Sequence, residues 1–136
     1  MSLKKGAHLC TRVVEEVGDS ILFGEFVGEA MREGVLQRGD ILVVDNCTIH
    51  NQAENTYLQE VLLMEQGILM ITLPPYFAEL NPTELVFRAL LMCLQAICCN
   101  SSKNIDLLKG VREVLANISL RAVKGMYKEC GYFKRR

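Results

Sequence analysis

The chain has 136 residues, half of them hydrophobic, which is enough for one domain with its own core. A net charge of −1 excludes a uniformly basic or acidic protein, but the sign of the charge changes along the chain. Residues 1–84 carry five Lys/Arg and thirteen Asp/Glu, whereas residues 85–136 carry ten and three. This asymmetry is typical of a protein that holds cations and approaches phosphates, and equally of C-terminal helices that expose lysines to water.

The six cysteines form no C-x-x-C pair, which argues against a zinc site, and no apolar leader follows Met1. Reduced thiols in an intracellular compartment are therefore expected, and secretion is not. The most apolar segment, residues 85–99, carries Arg88 and Gln95 and is too short to span a bilayer.

In chain order, the first predicted elements are a strand over residues 8–17, from its β-branched content, and a helix over residues 21–33. Asp19 lies in a turn before this helix and supplies an N-cap signal, and apolar residues recur within the helix at a spacing of four. Gly34 is the predicted C-terminal stop.

Two apolar runs, residues 41–44 and 68–73, are predicted to be buried strands, with an amphipathic helix over residues 53–66 between them. This order favours parallel pairing of the strands. Asn81 and Pro82 then begin a long helix to about residue 99. Two shorter helices are predicted over residues 105–117, after Asn104, and 120–130, after Ser119. The chain is thus predicted to be a single domain, with an α/β part (1–100) and a helical tail (101–136).

Two acidic residues, Asp45 and Glu84, follow the ends of the two predicted strands, where ligands gather in an open α/β sheet. A carboxylate at the end of a central strand suits a hard divalent cation, but an Asx-turn explains Asp45 as well. Glu84 is expected at the third position of a helix behind Asn81, where a capping box is the structural alternative. For Glu84 the two roles do not exclude each other.

The motifs D-N-x-x-x-H, which starts at Asp45, and L-P-P-Y-x-x-E-L-N-P-x-E, which ends at Glu84, resemble those of the DDE catalytic domain of mariner-type transposases. The segment Cys130-Gly131-Tyr132 is similar to a common ending of these domains. The resemblance implies a partial RNase H-like α/β fold, in which helices flank a mixed or parallel sheet.

The resemblance also implies a DNA endonuclease and strand-transfer domain that uses two Mg²⁺ or Mn²⁺ ions. Asp45 would bridge both ions and Glu84 would complete the coordination of one. Asn46, His50 and Asn81 would support the site or the substrate, although a lone His at such a junction is often structural. The implied partner is DNA, both transposon ends and target, and not a membrane. A eukaryotic member would work in the nucleus and any other in the cytoplasm.

The chain departs from this family at the first acidic ligand, which is expected on a strand well upstream of Asp45. Asp19 and Asp40 are the aspartates that precede Asp45, and their predicted places are a helix cap and a strand entry. We therefore expect a truncated or decayed copy with little or no nuclease activity alone. An exposed sheet edge would favour homo-oligomers.

Two other functions are compatible with the sequence. One is a non-enzymatic remnant of a transposase that binds DNA or protein through its basic end at Lys134, Arg135 and Arg136. The other is a small cysteine hydrolase that uses Cys47. Cys47 lies too close in sequence to Asp45 and His50 for the usual arrangement of base and nucleophile, and nothing Gly-rich offers an oxyanion hole.

Overall fold

A computed structural model describes residues 10–13, 18–46, 53–100 and 106–132. These residues have a mixed α/β architecture, with five α-helices and one two-stranded parallel sheet. They divide into two compact units. We call the described residues within 14–78 the strand unit, and those within 1–13 and 79–136 the helical unit.

The strand unit contains α1 (Ser20–Arg32), β1 (Ile41–Val44), α2 (Ala53–Val61) and β2 (Leu69–Thr72). A π-helical turn, Leu62–Gln66, continues α2. A 3₁₀ turn at Ala78–Leu80 precedes the three helices of the helical unit, α3 (Pro82–Asn100), α4 (Leu107–Ala116) and α5 (Leu120–Glu129).

Helix α1 begins and ends as its sequence predicts. The Asp19 side chain accepts a hydrogen bond from the Leu22 amide at 2.8 Å, which satisfies one of the free amides of the first turn. Gly34, with a φ of 70°, follows the last turn in the left-handed region. Val27 and Ala30 are buried on one side of the helix, and α1 packs against α2.

The two strands pair in parallel, as predicted from the strand, helix, strand order. The register pairs Ile41 with Leu69, Leu42 with Met70, Val43 with Ile71 and Val44 with Thr72. The core of the strand unit is formed by buried apolar residues from α1, the π-helical turn, both strands and the position directly before β2: Val27, Val44, Leu62, Ile68 and Met70. The sheet is also tied to α2, because the Gln59 side-chain amide donates to the Met70 carbonyl oxygen at 2.9 Å.

The prediction that both strands are buried is correct for one face of the sheet only. The opposite face carries four apolar side chains that are 40–59% exposed: Ile41, Val43, Leu69 and Ile71. Runs of apolar residues are typical of parallel strands covered on both faces. Here the core packs on the face of Val44 and Met70, and side-chain alternation leaves the other four in solvent.

The π-helical turn ends at Gly67, which connects α2 to β2. Gly67 has a φ of 64°, a conformation that glycine adopts without the steric cost of a side chain. A Cβ atom at this position would lie 3.1 Å from Cγ of Arg38, whose guanidinium donates to the Glu65 carbonyl oxygen at 3.4 Å. Gly67 therefore permits both the turn and the close approach of the Arg38 side chain.

In the helical unit, α3 packs against both α4 and α5. Val86, Val123 and Cys130 are its buried hydrophobic residues among those described. Ser119 caps α5 by accepting from the Ala122 amide at 3.2 Å, as predicted. Helix α4 starts later than predicted, because Asp106 and not Asn104 is its N-cap and accepts from the Lys109 amide at 3.1 Å.

The strand predicted for residues 8–17 is absent from the part that the structure describes, residues 10–13. Its β-branched residues favour a strand locally, but a strand also needs a paired neighbour, and the described sheet consists of β1 and β2. Among the described helices, none combines the length and the apolar character that crossing a membrane requires.

Candidate active site

Asp45 lies directly after the carboxyl end of β1, and its side chain is exposed. The backbone at this point is fixed, because the Leu73 amide donates to the Val44 carbonyl oxygen at 2.8 Å just beyond the paired residues. Asn46 follows and is also exposed. Since the strands are parallel, their carboxyl ends lie at one edge of the sheet, and Asp45 is mounted at that edge.

Glu84 is the third residue of α3, and its first turn is held by Asn81. The Asn81 side-chain oxygen accepts from the Thr83 amide at 3.1 Å and from the Thr83 hydroxyl at 2.6 Å. Pro82 is buried at the first helical position, where its missing amide proton costs nothing. Asn81 thus acts as the predicted cap and orients the turn that carries Glu84.

The capping-box alternative for Glu84 has no support among the described contacts. Its carboxylate is exposed, and no described residue donates a hydrogen bond to it. The Glu84 amide donates to the Asn81 carbonyl oxygen at 3.1 Å, which is a backbone contact only. The carboxylate is therefore available for a cation or a substrate.

Tyr132 supports the same turn from the far end of the helical unit, and the sequence assigned it no such role. Its hydroxyl donates to the Leu80 carbonyl oxygen at 2.9 Å, directly before Asn81. Its ring packs edge-on against that of Tyr127, with ring centres 5.4 Å apart. The Cys130-Gly131-Tyr132 segment follows α5, and Tyr132 within it braces the start of α3 through this hydrogen bond.

Tyr76 is a second residue of the motifs to which the sequence assigned no role. It follows the two prolines after β2, and among the described non-glycine residues it is the one with a positive φ, 67°. Its side chain is fully exposed. A tyrosine in the left-handed region is strained, and such strain is common in loops at functional sites.

The two aspartates that precede Asp45 both have structural partners. Asp19 is the N-cap of α1, as predicted. Asp40 directly precedes β1, as predicted, and its carboxylate accepts from the Gln37 amide at 2.7 Å. Both carboxylates are thus used to fix local backbone in the strand unit.

Residues 1–106 match the family model described as DDE superfamily endonuclease. The chain belongs to the DDE superfamily endonucleases. The matched range includes Asp45 and Glu84, as well as Asn46 and Asn81, whereas α4 and α5 follow it. No curated protein and no solved structure matches the chain.

Membership of the DDE superfamily confirms the coarser part of the resemblance. DDE superfamily endonucleases generally use divalent metal ions, and their transposase-like domains have DNA as a partner. Within residues 10–13, 18–46, 53–100 and 106–132, no group of three or more His, Cys, Asp or Glu side chains is placed to hold a metal ion.

Asp45 lies in the strand unit and Glu84 in the helical unit, so a shared cation stays a prediction. His50 and Cys47 lie outside the described residues, as do Lys134, Arg135 and Arg136.

Proposed function

We propose that this chain is the partial catalytic domain of a mariner-type transposase, a DNA endonuclease and strand-transfer enzyme with an RNase H-like fold. The observation that carries the proposal is the position of Asp45. It follows β1 of a parallel pair, inside the range that matches the DDE superfamily. The substrates would be DNA phosphodiesters at transposon ends and in target DNA.

Asp45 and Glu84 are the proposed ligands of the divalent cations, Mg²⁺ or Mn²⁺. Both carboxylates are exposed, and each belongs to a residue at a defined backbone position, one at a strand end and one in a capped helical turn. Their oxygen atoms are the hard ligands that these ions prefer. Two such ions, when bound, polarise the phosphodiester and activate water or a 3′-hydroxyl. Asn46 and His50 are proposed to orient the ligands or the substrate, and Asn81 holds the turn of Glu84.

We also propose that the chain alone has little or no nuclease activity. Asp19 and Asp40 each accept a hydrogen bond from a backbone amide, which supports structural roles for them at a helix cap and a strand entry, and not the role of a third metal ligand. Two carboxylates neutralise two divalent cations poorly. Both the affinity for the cations and the turnover should therefore be low.

The first test is binding of Mn²⁺ alone, followed by electron paramagnetic resonance. We expect Asp45→Asn and Glu84→Gln each to lower the affinity at least tenfold, since each removes a charged ligand. Glu60→Gln and Glu79→Gln are the matched controls, because both carboxylates are exposed and outside the proposed site. If one cation is shared, the double variant should lose less than the sum of the two single effects. An affinity unchanged by Asp45→Asn would overturn the assignment.

The second test is nicking of supercoiled plasmid in Mn²⁺ at high protein concentration. Any weak cleavage by the wild-type chain should disappear in Asp45→Asn and persist in Glu60→Gln. Cleavage that survives Asp45→Asn would show that the activity does not come from this site, and the nuclease proposal would then fail.

A second candidate function is DNA binding without cleavage, which is favoured by the basic excess in residues 85–136. It predicts salt-sensitive retention of DNA together with no nicking under any metal condition. Neutralising Lys134, Arg135 and Arg136 tests whether the basic end contributes to that retention. DNA retention and plasmid nicking together therefore separate the two functions.

A further inference from the structure

Helix α5 has two chemically different faces. Val123 is 2% exposed and Cys130, at the end of the helix, is also buried, so one face packs inside the helical unit. Arg121, Lys124 and Lys128 are exposed on the opposite side. Their spacing of three and then four residues places them in one row along the helix.

The row covers roughly 10 Å of helix axis, given a rise of about 1.5 Å per residue. Duplex DNA carries one negative charge per about 1.7 Å, so a stretch of that length presents about six phosphate charges. Three cations in a row therefore meet a dense line of opposite charge. This match requires no particular base sequence, because phosphates are the same at every position.

The three cations are not neutralised by the described part of the chain. No described carboxylate forms an ion pair with Arg121, Lys124 or Lys128. Lys109 on α4 differs, because its ammonium lies 4.0 Å from the Glu113 carboxylate. The row on α5 therefore presents its full positive charge to solvent.

Gly125 lies beside this row, four residues after Arg121 and three before Lys128. A Cβ atom there would meet nothing within 4 Å. Glycine in a helix interior costs roughly 1 kcal/mol relative to alanine, so local stability does not explain it. What glycine provides is open space, which lets another backbone approach the helix between the cations.

We propose that Arg121, Lys124, Gly125 and Lys128 form a docking surface for the sugar-phosphate backbone of DNA. We call it the α5 basic row. It lies after residues 1–106, the range that matches the DDE superfamily, so the family match does not account for it. The choice of DNA as the partner rests on the proposed function.

The chemistry of the row also favours a phosphate backbone over other anionic partners. Protein interfaces are centred on aromatic and aliphatic anchors, and membrane-surface helices insert apolar side chains. The α5 basic row has glycine among its cations, and its exposed large apolar neighbour on the helix is Leu120, which is 37% exposed in the first turn. An acidic protein and an anionic membrane are therefore outcomes of the test and are not the proposal.

The test is fluorescence anisotropy with a 30-base-pair duplex in EDTA, over a range of salt concentrations. The triple variant Arg121→Gln, Lys124→Gln and Lys128→Gln removes three charges. We expect the slope of log affinity against log salt to become shallower by about 2.7, and the affinity at low salt to fall at least tenfold. The matched control, Arg32→Gln, Lys109→Gln and Arg112→Gln, removes the same charge elsewhere and should keep the wild-type slope. Equal losses in the two variants would overturn the proposal.

Substitutions of Gly125 test the same surface without removing any cation. Gly125→Glu and Gly125→Gln both place a good helix former in open space, so both should keep or raise the melting temperature. Only Gly125→Glu sets a negative charge among the cations, and it should bind DNA at least fivefold more weakly than Gly125→Gln. Equal binding by the two variants would contradict a phosphate site.

Two further arms separate this inference from the nuclease proposal and from other partners. In EDTA, the triple variant should lose the same fold of DNA affinity in an Asp45→Asn background as in the wild-type background, so loss of the nuclease proposal would leave the α5 basic row intact. If the triple variant still nicks plasmid and its DNA affinity is unchanged, the docking proposal for the α5 basic row is overturned and the nuclease proposal stands. Binding to phosphatidylserine vesicles that depends on the row, without binding to the duplex, would assign the surface to a membrane and overturn DNA.

Discussion

The Tyr132 hydroxyl donates a hydrogen bond to the Leu80 carbonyl oxygen at 2.9 Å, across 52 positions of sequence. Leu80 directly precedes Asn81, whose side chain caps the helix that carries Glu84. Tyr132, three residues beyond the end of α5, thus fixes the residue before the cap of α3. The orientation of a proposed metal ligand depends in this way on the end of the helical unit.

Replacing Tyr132 with Phe should lower the free energy of unfolding by about 0.5–1 kcal/mol, the low end for a hydrogen bond in a partly exposed position. The aromatic ring and its packing against Tyr127 are retained, so the loss comes from the hydroxyl. Denaturant unfolding measures it. Tyr57→Phe is the matched control, because Tyr57 is 70% exposed and should lose nothing measurable. An equal loss in both variants would show that the Leu80 contact contributes no stability.

The hydrogen bond from Tyr132 to Leu80 is a feature that the sequence does not predict. Local signals correctly predicted the Asp19 cap of α1, the Ser119 cap of α5 and the parallel pairing of β1 with β2, because each depends on neighbouring residues or on apolar periodicity. The bond from Tyr132 to Leu80 depends on how α3 and α5 pack, which no local pattern encodes. The same reason explains why residues 10–13 form no strand, since local preference does not decide strand pairing and the described sheet consists of β1 and β2.

For the candidate site, too, the sequence predicts the residues but not the local structure that holds them. The motifs indicate the DDE superfamily, which the family match confirms, whereas the roles of Asp45 and Glu84 as metal ligands stay predictions. The structure adds the mounting of each carboxylate, on a strand end and on a turn capped by Asn81. It also removes the capping box as the explanation of Glu84. A capping signal in the sequence does not decide whether the Glu84 side chain accepts a hydrogen bond from the backbone amide of Asn81.

The π-helical turn supplies a second prediction. Leu62 is 1% exposed, whereas its neighbour Leu63 is 49% exposed. Leu62→Ala should therefore cost about 2–5 kcal/mol, as large-to-small changes in a packed core do, and Leu63→Ala should cost less than about 0.5 kcal/mol. The melting temperatures of the two variants measure the difference. A reversed order would mean that the turn has a different register.

Stability at high pH supplies a third prediction, from three groups near the end of α5. Burial raises the pKa of the Cys130 thiol, with the Glu129 carboxylate adding to the effect. Burial also raises the pKa of the Tyr127 and Tyr132 hydroxyls, and the neighbouring groups raise them further. The folded chain therefore keeps these protons at a pH where the unfolded chain has lost them.

The sign follows from linkage between protonation and folding. In the unfolded chain the ordinary pKa values are 9.0 for cysteine and 10.0 for tyrosine. The stabilisation is fully present below about pH 9 and is lost as the pH rises towards the folded values. Unfolding free energies measured from pH 7.5 to 10.5 should decline, and Cys130→Ala should decline less steeply near pH 9. A Cys130→Ala curve parallel to the wild type would contradict the assignment.

The exposed face of the sheet supplies the last prediction. Ile41, Val43, Leu69 and Ile71 form a contiguous apolar surface, since the register sets Ile41 beside Leu69 and Val43 beside Ile71. Apolar patches of this kind drive association in water. We expect concentration-dependent self-association, seen in sedimentation velocity, and expect Val43→Thr with Ile71→Thr to reduce it, because threonine keeps the strand preference and removes apolar area. Leu91→Gln with Met92→Gln is the control, since it removes two exposed apolar side chains from α3 instead. Equal reduction in both variants would show that general hydrophobicity, and not the sheet face, drives the association.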